Sequence, residues 1–551
     1  MLDALNLLIF ENGDGFSSAF QASLALGLAL FSWCYAVFRK AVPIVEKILR
    51  TVIAATAIIW LFCVVRMAHR NELEVMHALG VYFALALLVS PLVLMLAYTT
   101  HPVRERLRAV ITRKNPLERN RRTDVRNIDR HLPKRRSSFD PRTHFTDSSL
   151  FIGLDERRRV VTTPLPTKHI QIVGTSGAGK GRLIGGLLTQ FARAGEFVVM
   201  GDPKGDDWLP HLAYSECKRT GIEYRVLDLR SSAPPQINLF ADASSEQVAE
   251  LLSVAFNLEE EGSGGPDFYK PQDRAAARFV SRAIQPGDTP ASLCARLGEE
   301  LREQAENFSN RFSELAAMPP VNASEGLSIK SMMDSGGVLY VIGSMRDPSV
   351  RMLQRLLLVR ILQIAEARDF VSTTPRQVAV VLDEAKAWIS PPAMEFLGAA
   401  RSKGCHLVLS HQSLADLKTA AGMNPDATVD GVVENCSIKI FYRVQNPETA
   451  EWIARMTGEI LVDDEVRQFE TGLSLSEKMG SKRSVRQASR NFFDTNILLN
   501  LPDGWSVVTG IGMPKLVQIS HVPCAKSQEA LRVVAAVLAA GHSATNSPEP
   551  I

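Results

Sequence analysis

The sequence lacks paired cysteines. Its seven cysteines are scattered over 551 residues, and no two of them form a C-x-x-C pair. Neither a zinc site nor a disulfide framework is therefore expected, and the pattern fits a reducing compartment. The sequence also has no repeat with a period of 20–50 residues, which argues against a solenoid or a propeller. With a net charge of only +3, charge is informative only where it is concentrated along the chain.

Long apolar runs are present, and three of them lie in the first hundred residues, at 17–38, 51–65 and 75–98. The first and third have the roughly 20 residues that a membrane-spanning helix needs, whereas the second is shorter. Residues 1–100 are therefore predicted to form a transmembrane region of two or three helices. Both versions place residues 101–551 in the cytoplasm, because positive charge follows the last run.

That charge lies in residues 104–136, which contain thirteen Lys and Arg against four Asp and Glu. Such a stretch fits a segment held against anionic lipid and also fits a contact to nucleic-acid phosphates. It contains no aromatic residue for stacking on bases, which favours the lipid bilayer. We therefore interpret residues 101–145 as a basic juxtamembrane linker.

A glycine-rich loop follows a short apolar segment at residues 168–174. The loop has the phosphate-binding pattern G-x-x-x-x-G-K, and the next residues have the apolar spacing of a helix. This context makes the pattern specific, because loop amides and a helix N-terminus then face the phosphates of ATP. Lys180 is predicted to be catalytic as well, by reaching the β- and γ-phosphates. The predicted nucleotide-binding residues are Gly174, Thr175, Ser176, Gly177, Ala178, Gly179, Lys180, Gly181 and Arg182.

Residues 376–388 contain a second apolar stretch, which ends in the acidic pair Asp383–Glu384. The pair predicts that Asp383 holds Mg²⁺, directly or through water, and that Glu384 orients and deprotonates the attacking water. Gly181 stands where such loops normally have the Ser or Thr that binds Mg²⁺. Because magnesium commonly keeps several water ligands, we still expect a working site.

Three further motifs make the pattern more specific. D-P-K-G lies at residues 202–205, H-Q-S at 411–413 and N-P-E-T-A at 446–450. In this order the motifs resemble the coupling ATPases of type IV secretion and bacterial conjugation, the TraG/TraD-type proteins of the FtsK/HerA class. The resemblance covers about residues 145–525, and the apolar N-terminus is similar too.

The resemblance implies an α/β fold in which a RecA-like P-loop nucleotide-binding domain contains an inserted all-α domain, preceded by the transmembrane region. Residues 241–325 independently have helical patterns, and strands alternating with helices elsewhere favour a largely parallel sheet. The predicted division is 1–100 for the transmembrane region, 101–145 for the linker, 146–240 and 331–525 for the two parts of the ATPase domain, 241–330 for the insertion and 526–551 for a C-terminal tail.

By resemblance, Gln412 is the residue that senses the γ-phosphate, and Arg401 is the catalytic arginine that reaches a neighbouring subunit's nucleotide in a homo-hexamer. Asp202 and Lys204 either support the site or face DNA, and His411 is expected to serve in packing. Lys204 and the basic run at 476–490 are candidate contacts to DNA in a central channel, although the run also fits a solvated loop.

The implied function is that of a coupling ATPase in the bacterial inner membrane. It would recruit single- or double-stranded DNA bound to a relaxase, or a protein, with or without an adaptor, and deliver it to the inner-membrane components of a type IV secretion channel. One alternative is a membrane-anchored DNA pump of the FtsK/HerA type for DNA segregation. Another is a receptor that binds substrate without hydrolysis, which the presence of Lys180, Asp383 and Glu384 disfavours.

Overall fold

The computed structural model describes residues 125–134, 137–258, 270–420, 423–471, 477–535 and 537–538. The strands in this part of the chain are β1 (Ser149–Asp155), β2 (Val160–Pro164), β3 (Ile170–Val173), β4 (Phe197–Asp202), β5 (Tyr224–Asp228), β6 (Ala323–Glu325), β7 (Gly337–Ile342), β8 (Val378–Leu382), β9 (Cys405–His411), β10 (Ile438–Phe441), β11 (Glu459–Thr471), β12 (Glu477–Asn491), β13 (Trp505–Thr509), β14 (Lys515–Gln518) and β15 (Val537–Leu538).

The helices alternate with these strands over most of the described residues. They are α1 (Lys180–Arg193), α2 (Leu209–Thr220), α3 (Ser245–Phe256), α4 (Lys270–Ala283), α5 (Pro290–Gln304), α6 (Glu306–Ala316), α7 (Ile329–Ser335), α8 (Pro348–Glu366), α9 (Pro391–Ala399), α10 (Leu414–Lys418), α11 (Pro425–Asn435), α12 (Pro447–Met456) and α13 (Thr495–Asn500).

Eleven of the strands form one sheet in the order β2-β1-β14-β13-β10-β3-β9-β8-β4-β7-β5. From β10 to β5 every neighbouring pair is parallel. From β10 to β2 every pair is antiparallel. The predicted α/β class with a largely parallel sheet is therefore confirmed, and the antiparallel extension is a feature that the sequence analysis did not predict.

Both faces of the parallel part are buried, as parallel sheets require. In β8, Val378 and Val380 pack into one core while Ala379 and Val381 pack into the other, which follows the two-residue period of a strand. Helices α1 and α2 cover the second face. The near-continuous apolar strands that mark the sequence thus follow from a sheet enclosed between two layers.

Four helices, α3 to α6, lie between β5 and β6 in the described part of the chain. Their buried side chains belong to the same core as one face of the sheet, including Leu251, Phe308 and Phe312. Within residues 241–325, for which helical patterns were predicted, α5 and α6 are separate helices because Ala305 adopts φ −154° and ψ 83° between them.

A compact unit comprises residues 120–462 and 487–551, and a second unit comprises residues 1–119 and 463–486. In the second unit the structure describes only parts of β11 and β12, which form a two-stranded sheet. The basic run at 476–490 is therefore largely strand rather than loop. None of the helices in the described residues is both long and apolar enough to cross a membrane, and the three apolar runs of residues 17–98 lie outside the described residues.

Two buried histidines connect neighbouring elements of the sheet. His169 accepts a hydrogen bond from the Leu407 amide (2.9 Å) and lies 3.1 Å from the Leu397 carbonyl. His411 lies 2.9 Å from the Ser413 carbonyl and 3.0 Å from Gln171 Nε2. Burial lowers the pKa of each imidazole to about 4, because a proton would add a charge in a site without water.

We predict that acidification destabilises the protein through these histidines. Their folded pKa lies below the unfolded value, so the stability they provide is complete above about pH 6.5 and is lost towards pH 4, by up to about 3 kcal/mol each. Urea unfolding at a series of pH values would measure this. The slope in His411→Gln should be smaller than in the wild type by about 1.4 kcal/mol per pH unit. Equal slopes in the two proteins would contradict the prediction.

Candidate active site

Four adjacent parallel strands, β3, β9, β8 and β4, end at one edge of the sheet. Their terminal pairings are Val173 with His411, Leu382 with Leu409 and Gly201 with Leu382. Because the carboxyl ends of parallel strands meet at the same edge, the segments that follow them lie together. These segments contain the glycine-rich loop, Gln412, the Asp383–Glu384 pair and Lys204, respectively.

The glycine-rich loop is held in place by the last residue of β9 and by the residues that follow β10. Its Gly174 amide donates to the His411 carbonyl (3.2 Å), and its Thr175 amide donates to the Arg443 carbonyl (2.9 Å). A Cβ atom at Gly174 would lie 2.6 Å from Tyr442 Cβ, so only glycine fits there. Ser176 and Gly177 remain exposed at the crest of the loop.

Helix α1 begins directly after the loop, with Gly179 as its N-cap and Lys180 as its first residue. Gly179 has φ 121°, and a Cβ there would come within 2.9 Å of Gly504. The Gly504 amide donates to the Ala178 carbonyl (2.8 Å), and the Arg182 side chain also approaches Gly504. The free N–H groups of a helix N-terminus attract anions, so the predicted nucleotide-binding residues form a cradle that fits phosphates.

Lys180 is buried beside this cradle. Its Nζ donates to the Gly174 carbonyl (2.5 Å) and lies 3.4 Å from the Thr175 carbonyl. Burial lowers the pKa of this ammonium, and the attraction of Asp383 and Glu384 compensates only in part. In a nucleotide complex, a phosphate would be the anionic partner of Lys180 in place of these two carbonyls.

Asp383 continues the line of β8, with its amide donating to the Gly201 carbonyl (3.0 Å). Its Oδ1 accepts a hydrogen bond from Ser410 Oγ (2.9 Å), and its Oδ2 lies 3.5 Å from Lys204 Nζ. Burial raises its pKa, while Lys204, the Ser410 hydrogen bond and Lys180 oppose that rise. Carboxylate oxygens beside a phosphate site are the ligands that Mg²⁺ prefers, so the geometry fits the predicted metal role.

Glu384 is the residue at which the chain turns away from the sheet. It adopts φ 47° and ψ 63°, a left-handed conformation that costs a residue with a Cβ about 1–2 kcal/mol. Its side chain is fully buried, and Oε1 accepts hydrogen bonds from Lys204 Nζ and from Gln412 Nε2 (2.8 Å). Oε2 is buried and has no hydrogen-bond partner among the described residues. Of the two Glu384 oxygens, Oε2 is therefore the one that no described residue binds.

Gln412 and His411 have different roles at the end of β9. Gln412 contacts Glu384, and its amide donates to Asp416 Oδ2 (3.0 Å). His411 is fully buried and faces Gln171 instead. The structure therefore places Gln412 with the acidic pair, while His411 serves in packing.

Lys204 and Asp202 lie at the site, and both have internal partners. The Asp202 carboxylate accepts hydrogen bonds from the amides of Lys204 (3.0 Å), Gly205 (2.9 Å) and Asp206 (2.6 Å) and from the Tyr340 hydroxyl (2.6 Å). Asp202 thus shapes the D-P-K-G loop, and Lys204 reaches the acidic pair. Sequence reasoning left these two roles open.

Arg401 lies at the other edge of the sheet, in a 3₁₀ turn (Ala400–Lys403) that precedes β9. Since β9 spans seven residues, Arg401 is about 20 Å from Gln412, and its side chain is exposed. It lines a cavity of about 290 Å³ with Pro166, Thr167, Gln377, Ser402, Cys405 and His406. Arg401 therefore does not join the site of its own chain.

Sequence reasoning missed two contributors to the site. Ser410 is a polar residue within the apolar strand β9, and this exception to the pattern is a usable signal. Arg443 acts through its backbone carbonyl, which no sequence motif reveals.

Comparisons with known proteins agree on one family. The family model described as "TraM recognition site of TraD and TraG" matches residues 377–503. Mobilization protein A of Escherichia coli is 31% identical over 369 residues, which cover 65% of this chain and 67% of that protein.

Solved structures show the same fold at low sequence identity. The unbound bacterial conjugative coupling protein TrwBdeltaN70 has a TM-score of 0.51 and 16% identity, covering 68% of this chain and 90% of that one. The plasmid coupling protein TrwB in complex with ADP and Mg²⁺ has a TM-score of 0.50 and 16% identity, covering 67% and 90%.

Gly181 offers a direct test of the metal ligands. Nothing lies within 4 Å of a Cβ built at this position, so a serine fits without displacing other atoms. Mg²⁺ should increase the affinity for ATP, and we expect this increase to be about fivefold larger in Gly181→Ser than in the wild type. This factor corresponds to one added polar interaction of about 1 kcal/mol. Calorimetric titration with and without Mg²⁺ measures that gain.

The matched control is Gly181→Ala, which adds the same Cβ without the hydroxyl. It should retain the wild-type gain. If the serine and alanine variants respond equally to Mg²⁺, the hydroxyl position is irrelevant to metal binding.

Proposed function

The chain belongs to the TraG/TraD-type family of conjugation coupling proteins, and we propose that it is the ATPase that drives substrate transfer in conjugation. It would bind relaxase-bound DNA, or a protein, and use ATP hydrolysis to deliver it to a type IV secretion channel. The observation that carries this proposal is the convergence of Lys180, Asp383, Glu384 and Gln412 at one edge of the sheet.

The residues at this edge fit ATP and Mg²⁺. The related plasmid coupling protein TrwB has been solved in complex with ADP and Mg²⁺. The loop amides and Lys180 would hold the phosphates, and Asp383 would hold the metal. When bound, Mg²⁺ neutralises charge on the phosphate oxygens. No described atom lies within 4 Å of a Cβ at Gly181, and a water could there replace the hydroxyl ligand of the usual Ser or Thr, since Mg²⁺ commonly keeps several waters.

Glu384 would act as the general base through Oε2, the buried oxygen without a partner. It takes a proton from water, the water oxygen bonds to the γ-phosphorus, and the bond to the bridging oxygen breaks to release ADP and phosphate. Gln412 donates to the other oxygen of the same carboxylate at 2.8 Å. It would therefore position the base and transmit changes at the γ-phosphate to α10.

Arg401 would complete the site of a neighbouring subunit in a ring, by our proposal a homo-hexamer. Two features support a role in trans: the residue lies at the edge of the sheet opposite its own site, and its side chain is exposed. An arginine supplied in trans stabilises the charge of the transition state.

The partners and location are also part of the proposal. The matched family model is named for recognition of TraM and covers residues 377–503, which supports docking of a relaxosome component or adaptor on this part of the chain. The apolar runs within residues 17–98 support an anchor in the inner membrane, with the ATPase domain in the cytoplasm. The basic run at 476–490 supports contact with DNA.

We predict that the purified full-length protein hydrolyses ATP and that single- or double-stranded DNA accelerates turnover. Glu384→Gln should bind ATP normally but lose about 10²–10⁴ in kcat, because it retains the shape of the side chain and cannot take a proton. Lys180→Ala should lose ATP binding. If the wild-type protein binds ATP and never turns it over, with or without DNA, it is a substrate receptor rather than a motor.

The role of Arg401 in trans predicts complementation between subunits. Arg401→Ala and Lys180→Ala should each be inactive alone, whereas mixed rings should recover activity, since some sites combine an intact Lys180 with a neighbour's Arg401. Mixtures of Lys180→Ala and Glu384→Gln are the control, because every site then has a defect of its own. No recovery in the first mixture would contradict the assignment.

A further inference from the structure

Lys204 makes a contact in the site that the hydrolysis mechanism does not explain. Its Nζ pairs with Glu384 Oε1 and lies 3.5 Å from Asp383 Oδ2. Glu384 is fully buried, whereas the Lys204 side chain is 38% exposed. The ammonium therefore bridges the general base and the solvent-facing surface of the carboxyl edge.

Hydrogen bonds to Asp202 fix the backbone of the D-P-K-G loop and with it the position of Lys204. Three backbone amides of the loop and the Tyr340 hydroxyl bind the Asp202 carboxylate. Gly205 permits the turn with φ 76°. The other two acids of the loop have partners of their own, since Asp206 caps α2 (2.8 Å to the amides of Trp208 and Leu209) and Asp207 pairs with Lys526 (3.0 Å).

The pairing has a consequence for catalysis. Lys204 and Gln412 hold the Glu384 carboxylate through Oε1, and Oε2 is buried. While the ammonium keeps this contact, the carboxylate is held away from a water on the γ-phosphate. The contact therefore opposes turnover while it lasts.

We propose that Lys204 is a lock on the general base, and that a phosphate of the DNA substrate opens it by drawing the ammonium away from Glu384. This rests on the proposed function of the site. The partial exposure of Lys204 makes it reachable from outside, and a phosphate oxygen is an anion of the kind that competes with a carboxylate for an ammonium. Lys204 is accordingly a positioning residue, and its release couples the presence of substrate to ATP turnover.

The test compares the full-length wild type with Lys204→Met and Lys204→Arg, assayed with and without DNA at saturating ATP. Methionine retains most of the length of the side chain and removes the charge. We expect Lys204→Met to raise the DNA-free kcat at least about tenfold, a fraction of the ~10²–10⁴ that a general base contributes. Its KM for ATP should not change, and DNA should no longer accelerate it. Lys204→Arg should keep the low DNA-free rate.

Lys526→Met is the matched control, because it removes a cation that pairs with the same loop through Asp207 but does not reach Glu384. It should retain both the wild-type rate and the wild-type acceleration by DNA. Thermal unfolding of each variant shows whether the loss of a partner for Glu384 disturbs the fold.

Several outcomes would overturn the lock. One is a Lys204→Met protein that is slower with and without DNA and keeps the wild-type acceleration, since Lys204 would then support catalysis. Another is a folded, ATP-binding Lys204→Met whose DNA-free kcat equals that of an active wild type. Failure of the proposed function has a different signature, which is no ATP turnover by either the wild type or Lys204→Met, with or without DNA.

Discussion

The site depends on one constraint, the shared direction of β3, β9, β8 and β4. Hydrogen bonding between these strands places Val173, His411, Leu382 and Asp202 at the same edge. Lys180, Asp383, Glu384 and Lys204 each lie within seven residues after one of these ends. Because neighbouring strands are about 4.8 Å apart, groups that are far apart in the sequence reach one another without long loops. The antiparallel strands on the other side of β3 add a second support, since Tyr442 and Arg443 after β10 fix the glycine-rich loop.

The residues of the site were largely predictable from the sequence, but the contacts that join them were not. The loop at 174–180 and the pair Asp383–Glu384 have local signatures, because each depends on a strand and the residues directly after it. The contact of Lys204 with the acidic pair depends on the turn at Glu384 and on the strand order. Neither of these can be recognised from a pattern of neighbouring residues in the sequence. The clamp by Arg443 joins residues 268 positions apart through a backbone carbonyl. From the sequence, the run at 476–490 is a candidate contact to DNA that also fits a solvated loop, and the structure shows residues 477–490 as a strand paired with β11.

Placing the carboxylate of Glu384 in a site shielded from solvent costs free energy of folding. The left-handed backbone costs about 1–2 kcal/mol, and the buried charge would cost several more without partners. Lys204 and Gln412 supply those partners on one oxygen, and the other oxygen is left without one. Glu216, in a cluster remote from the site, has the same arrangement, since its Oε1 accepts from Arg193 and Arg219 while its Oε2 has no hydrogen-bond partner among the described residues. What separates Glu384 from Glu216 is therefore its position, next to Asp383 and in contact with Lys204 and Gln412.

The balance of charge explains why the contact of Lys204 is the one free to change. Lys180 and Lys204 oppose Asp383 and Glu384, so the four groups sum to zero within one site. Lys180 is buried and fixed by the phosphate loop, and Asp383 is fixed by Ser410 and by its place at the end of β8. Glu384 has no exposed surface. Lys204 is the most exposed of the four, at 38% against 20% for Asp383, and its side chain is flexible, so a new negative charge outside the site acts first on its ammonium. Gln412 binds the same oxygen of Glu384 but is uncharged, and such a charge therefore acts on it less.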